Sequence, residues 1–289
     1  MRARVAFLLE RLRRRFHPLH RLRAFPIVRW VRTRIDRPWR IRIDGVPHAV
    51  LVRLGRNLGT VLSLGRAEER ELIDLLVFLA RINSAHVFWD VGANYGLFTF
   101  SLCASLPELQ IEAFEPDPDY VALLQQTLGL SGSGHLRVHP VALADAEGQV
   151  TFKRDLVGGS TGHLVRSRQP PPGAPDRAAE SGVIEVAAST IDSESGQLGV
   201  PDLIKIDVEG AELDVLRGGR RTFEAHMPII LLECTDRQEE VRDFLEELGY
   251  EIRDAANPAN RVTGRGLPFM VLALDPSRHE TGRVPAART

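Results

Sequence analysis

From residue 86 onward the chain repeats one pattern: a short apolar run ending on an acidic residue, then a stretch with helical spacing. The runs are residues 86–90, 110–115, 203–207 and 228–233, joined by 136–141 with Asp145 just beyond. Apolar runs of this length without polar alternation are buried on both faces. Interleaving with helices achieves that in a parallel sheet covered on each side. The predicted fold is therefore α/β, doubly wound and Rossmann-like, with a mostly parallel sheet. Residues 149–156 and 183–188 break the alternation and read as antiparallel or edge strands. Between them, residues 166–182 are rich in Pro, Arg, Ser and Gly and read as a mobile loop.

Upstream, residues 40–43 and 48–53 alternate around Asp44 and Gly45, the pattern of a hairpin. Leu72, Leu75, Leu76 and Leu79 then mark a helix over 67–82. Downstream, residues 238–248 predict a helix stopped by Gly249. Residues 250–253 and 269–274 predict the final strands, with Asn257, Pro258 and Gly264 in their turn. The economical division is an N-terminal extension (1–60), one catalytic domain (61–276) and a tail (277–289).

The net charge of -1 hides an asymmetry, because residues 1–40 hold 13 arginines against two acids, Glu10 and Asp36. Val5, Leu8, Leu9, Leu12 and Phe16 recur at helical spacing among those arginines. Such a basic amphipathic helix fits an anionic membrane surface or a polyanionic partner, or it packs on the acidic body of the protein. Nucleic acid fits less well, since the predicted catalytic region is acidic and no aromatic stacking motif accompanies the arm. No apolar run reaches the ~20 residues of a membrane span. The two cysteines, Cys103 and Cys234, have no paired spacing, which suits a reducing cytoplasm. The expected location is cytoplasmic, with peripheral contact at the inner membrane surface as an option.

The first strand feeds the segment DVGANYG at residues 90–96. In doubly wound sheets this turn lies beside the ligand, at the carboxyl ends of the strands. Gly92 and Gly96 allow positive φ and close backbone approach. Asn94 is among the few other residues that visit the left-handed region readily. A dinucleotide fingerprint would place glycines at 92, 94 and 97, whereas 94 is Asn and 97 is Leu. Glu115 ends the second strand, where a carboxylate can accept both ribose hydroxyls of an adenosine. Asp90 suits a cationic methionine moiety better than a pyrophosphate, which prefers a bare helix N-terminus. Asp90 could also serve only to hold the turn.

The segments VFWDVGANYGLFTF, AFEPDPDYVALLQQ, VALADAEGQVTF, LIKIDVEGAELDVLRGG and PIILLEC together resemble the FkbM-type methyltransferases, over about residues 60–255. The resemblance implies a seven-strand methyltransferase fold and S-adenosylmethionine as methyl donor. It places Asp90, Gly92, Ala93, Asn94, Gly96, Glu115, Pro116 and Asp207 on the cofactor, with Ala142 and Asp145 near the adenine. The segment ASTID at 188–192 fits the family pattern loosely, and residues 166–182 look particular to this chain.

Methyl transfer to a hydroxyl needs alignment, exclusion of water and a base. Candidates cluster in KIDVEGAE. Lys205 and Asp207 project to one side of their strand, Glu209 lies just past it, and Glu233 ends the neighbouring strand. Lys205 could position a substrate hydroxyl or form a structural ion pair beneath the site. Carboxylates at two adjacent strand tips could share a divalent ion. A metal-free arrangement is favoured because hard cations gather more than two protein oxygens or several waters. His163, after the segment 158–162, is a further candidate base. The expected acceptor is a hydroxyl of a small molecule, sugar or glycan, in a pocket between the 150–190 insertion and the sheet edge, with that insertion as a lid. Two alternatives remain at this level: an NAD-dependent oxidoreductase or epimerase on the same sheet, and a noncatalytic binding module. The sequence carries no signal for oligomeric state.

Overall fold

The structure is a computed structural model that describes residues 26–57, 67–154, 162–164, 182–264 and 266–280. The predicted arginine-rich helix near the start of the chain and most of the 166–182 loop lie outside the described residues, as does much of the expected lid.

In chain order, α1 (Pro26–Ile35) leads into a hairpin of β1 (Pro38–Ile41) and β2 (Val50–Arg53), followed by α2 (Ala67–Ile82). Then come β3 (Val87–Val91), α3 (Leu97–Ser105), β4 (Gln110–Phe114), α4 (Pro118–Ser131) and β5 (Leu136–His139). A second group follows: β6 (Ala142–Leu143), β7 (Gly148–Lys153), β8 (His163–Leu164) and β9 (Val183–Ser189). The chain then returns through α5 (Ile191–Leu198), β10 (Leu203–Ile206), α6 (Glu212–Gly218), α7 (Arg220–His226) and β11 (Ile229–Glu233). It ends with α8 (Gln238–Glu247), β12 (Glu251–Asp254), β13 (Asn257–Arg261) and β14 (Met270–Leu274).

The main sheet has the order β13-β12-β14-β11-β10-β3-β4-β5. Strands β5, β4, β3, β10 and β11 pair in parallel, while β14 lies antiparallel between β11 and β12. Seven strands were expected; the eighth is β13, built from residues assigned above to a turn. It sits at the sheet edge, where Pro258 can lack an N–H without breaking an interior ladder. Strands β6 to β9 form a separate sheet in the order β6-β9-β7-β8, with β7 and β9 antiparallel as their alternation implied.

Period-two alternation divides the core between the two faces of the sheet. Phe88, Ile111, Ala113, Leu203 and Leu231 face α2, α3 and α4. Ile41, Val46, Val50, Leu51 and Val52 of the hairpin join that same cluster, so the extension shares the core of the main sheet. Trp89, Val91, Phe114, Ile204, Ile206 and Leu232 face the layer of α5 to α8. The strand order reverses between β3 and β10. From β3 the chain builds outward to β5, then returns to lay β10 on the other side. The carboxyl ends of β3 and β10 flank the resulting crevice, the usual ligand position in such sheets.

Candidate active site

The loop from β3 to α3 has the backbone its sequence called for. Gly92, Asn94 and Gly96 all have positive φ, with Asn94 at 53°. The Asn94 side-chain carbonyl accepts a hydrogen bond from the Tyr95 amide at 2.9 Å. The glycines, however, serve the protein itself. A Cβ on Gly92 would lie 2.0 Å from the carbonyl oxygen of Asp207, and one on Gly96 would lie 2.5–2.7 Å from Phe100 and Leu124. The first glycine thus lets the tips of β3 and β10 meet, and the second seats the loop on α3 and α4.

Asp90 is 1% exposed, and its carboxylate is engaged within the protein. Oδ2 accepts hydrogen bonds from the Thr99 amide at 3.1 Å and hydroxyl at 2.6 Å, and Oδ1 lies 3.4 Å from Lys205 Nζ. Thr99 is in the first turn of α3, so a protein carboxylate already occupies the positive end of that helix. A pyrophosphate would need that end bare.

Glu115, just past β4, is likewise buried. Its Oε2 accepts the Asn94 amide and its Oε1 the Asp117 amide, both at 2.8 Å. Burial pushes its carboxyl up to about 8, against the pull of those two amides; the nearby charges of Asp117 and Asp90 add to the rise. Pro116 is half-buried beside it. Ala93 and Ala142 are buried, while Asp145 is exposed on the turn between β6 and β7, beside Gly218.

Register places Lys205 opposite Asp90 on β3 and Leu231 on β11. Its Nζ lies 3.3 Å from Asp207 Oδ2 and 4.9 Å from the centre of the Phe98 ring. Burial alone would lower the pKa of this ammonium, but Asp207, Asp90 and Glu233 reverse the effect and hold it above the ordinary lysine range. The geometry makes Lys205 an ion-pair partner of Asp90 and Asp207.

Carboxylate oxygens of Asp207, Glu209 and Glu233 all lie within 4.8 Å of one another. The sequence expectation counted only the tips of two strands and found no third oxygen donor. The tertiary structure supplies it by turning Asp207 toward the other two. Glu209 reaches this place with a φ of 49°, an uncommon conformation for a residue with a side chain. Glu212, which sequence reasoning passed over, is 1% exposed and ties this loop to the end of β11. Its Oε1 accepts the Gly210 amide at 2.9 Å and the Thr235 hydroxyl at 2.7 Å. Its only signal in the sequence was its place two residues after Gly210. His163 pairs with Lys153 across β7 and β8.

A profile of the methyltransferase FkbM domain matches residues 90–252, more than half of the chain and the whole of the crevice just described. The chain belongs to the FkbM methyltransferase family. It is 27% identical over 202 residues to the hexuronic acid methyltransferase AglP of Haloferax volcanii, covering 68% of this chain and 77% of that protein. It is 30% identical over 148 residues to the 2-O-methyltransferase NoeI of Sinorhizobium fredii, covering 47% of this chain but only 58% of that one. The crystal structure of an FkbM methyltransferase from Methylobacillus flagellatus aligns with a TM-score of 0.43 and 18% identity, covering 65% of this chain and 43% of that one. As an FkbM methyltransferase the chain takes its methyl group from S-adenosylmethionine. Among the described residues, no helix is long and apolar enough to cross a membrane.

Proposed function

We propose that this FkbM methyltransferase is an O-methyltransferase acting on a hydroxyl of a sugar, glycan or other small metabolite. The observation that carries the reading is the convergence of Asp207, Glu209 and Glu233 at the tips of β10 and β11, on the side of the β3 loop where β10 pairs with β3. S-adenosylmethionine, when bound, supplies an electrophilic methyl group on a sulfonium. The residues present fit that donor: the α3 N-terminus is capped by Asp90, and carboxylates line the crevice where a cationic group would sit. Residues 90–96 and 115–116 would hold the cofactor, with residues near Ala142 and Asp145 toward the adenine.

Glu209 and Glu233 are the candidates to accept the hydroxyl proton as the oxygen bonds to the methyl carbon and the carbon–sulfur bond breaks. Lys205 is a poorer candidate, because Asp207, Asp90 and Glu233 favour its charged form. Its ammonium instead orients Asp207 and balances part of the negative charge. The names of the hexuronic acid methyltransferase and the 2-O-methyltransferase support a sugar hydroxyl as acceptor.

The three-carboxylate spacing also favours a second reading, in which a divalent ion acidifies the acceptor. The metal-free reading has in its favour a cation already in place, since Lys205 touches Asp207 at 3.3 Å. Purified protein should convert S-adenosylmethionine to S-adenosylhomocysteine with an acceptor from a panel of uronic acids and neutral sugars, giving a product heavier by one methylene. Activity that survives chelation supports the metal-free form; loss on chelation with recovery in magnesium selects the other. Binding of NAD in place of S-adenosylmethionine would overturn both.

The placement we propose is cytoplasmic, with contact to an anionic membrane surface through the N-terminal segment. Trp30 and Trp39 are about half exposed, at 55% and 47%. Arg34, Arg37, Arg40 and Arg42 are exposed near them. Tryptophan at the headgroup level and arginine toward anionic lipid are the usual elements of such contact.

A further inference from the structure

We propose that Arg56 and Arg154 are positioning residues for the cofactor: arriving from two distant parts of the chain, they clamp the turn that carries Glu115. The inference rests on the reading of Glu115 as the carboxylate that meets the ribose.

Glu115 is oriented by the amides of Asn94 and Asp117, so its aim depends on where Asp117 sits. Asp117 is held from several sides. Its Oδ1 caps α4 by accepting the Asp119 amide at 2.9 Å. Arg154, immediately after β7, grips the same carboxylate with a fork, Nε to Oδ2 at 3.0 Å and Nη2 to Oδ1 at 2.9 Å, and also reaches Asp119. Arg56, just past β2, lies 3.3 Å from Asp117 Oδ2 and 2.6 Å from Asp119 Oδ2.

Arg56 is itself anchored. Its amide donates to Asp36 Oδ1 at 3.1 Å, and its carbonyl accepts a hydrogen bond from Arg32 of α1 at 3.0 Å. Gly55 permits this approach, since a Cβ there would lie 2.2 Å from the Arg32 carbonyl. Arg53 completes the set, donating to Asp36 at 2.9 Å. Arg53, Arg56 and Arg154 thus face three aspartates, Asp36, Asp117 and Asp119, with the buried Arg32 behind them. Arg56 is 5% exposed and Asp117 3%, so removing one guanidinium leaves the buried Asp117 carboxylate with one of its two arginine partners, two residues from Glu115. Lysine is a poor substitute, because it offers a point charge where two carboxylates are bridged by a planar fork.

The test measures S-adenosylhomocysteine affinity by calorimetry, together with KM and kcat, in Arg56→Met, Arg56→Lys and Arg154→Met. Circular dichroism checks folding, and hydrogen exchange is followed at the Asn94 and Asp117 amides without ligand. The expected result is a dissociation constant and KM raised tenfold or more in both methionine variants. kcat should stay within threefold, exchange at the two amides should be faster, and Arg56→Lys should recover part of the loss. If Arg56→Met does not fold, Arg154→Met decides the matter alone. Affinity within twofold of wild type in a folded variant, with unchanged exchange, overturns the clamp and leaves the functional reading intact. A wild-type protein that binds no S-adenosylhomocysteine overturns the functional reading, and this one with it.

Discussion

Glu209 holds a φ of 49°, where a side chain costs about 1 kcal/mol relative to glycine. Such a conformation is kept at a site when the side chain is needed there. Glu209→Gly should therefore unfold at higher urea concentration, by about 1 kcal/mol, while methyl transfer slows sharply. A variant that is stabilised with unchanged turnover would remove Glu209 from the reaction. Glu115 offers a second test at this scale. With its carboxyl raised to about 8 from an ordinary 4.5, the folded protein keeps a proton that the unfolded chain releases. Its contribution to stability is present below pH 4.5 and is lost as pH rises through about 8. Ribose hydroxyls donate to the ionised form, so S-adenosylhomocysteine affinity should rise from pH 6 to 8, by up to about tenfold per unit, and level off above. Calorimetry across that range, with Glu115→Gln as the flat control, checks it.

The β3 loop and β10 form one unit, because the missing Cβ of Gly92 is filled by the Asp207 carbonyl at 2.0 Å. Gly92→Ala should push the two tips apart, lowering stability by about 1–3 kcal/mol, the range for overpacking, and weakening cofactor binding at the same time. Denaturant melts read the first effect and calorimetry the second. An alanine variant with wild-type melting and affinity would show the two strand tips to be independent. Parallel strands and the helices between them were legible in the apolar runs, since such runs are buried on both faces. The edge strand β13 was not. Its NPANR sequence has turn composition, and only pairing with β12 makes it a strand, which is a tertiary override of local propensity.

Across the whole molecule, the hairpin is part of the core. Ile41, Val46, Val50, Leu51 and Val52 pack in the cluster that holds Phe88 and Ile111. Deleting residues 1–57 should abolish cooperative unfolding, because a large apolar face is opened and Arg56 is lost from the cluster with Asp117 and Asp119. Calorimetric melting of the truncated protein checks this, and a sharp transition would show the sheet to be self-sufficient. The arginines of this cluster were illegible in the sequence. The chain has 37 basic residues of which only Lys153 and Lys205 are lysines, so nothing in spacing or composition separates Arg56 and Arg154 from the solvated ones.

The sequence by itself determined the periodicities, and with them the sheet, the left-handed turn at Asn94 and the row of acids at strand ends. These follow from local sterics and from which side chains tolerate water. Only the tertiary structure decided which acids meet. It turned Asp90 inward to Thr99 and Lys205, gathered Asp207 with Glu209 and Glu233, and joined Arg56 to Asp117 across 61 positions. Such meetings depend on strand order and register, which no single segment encodes.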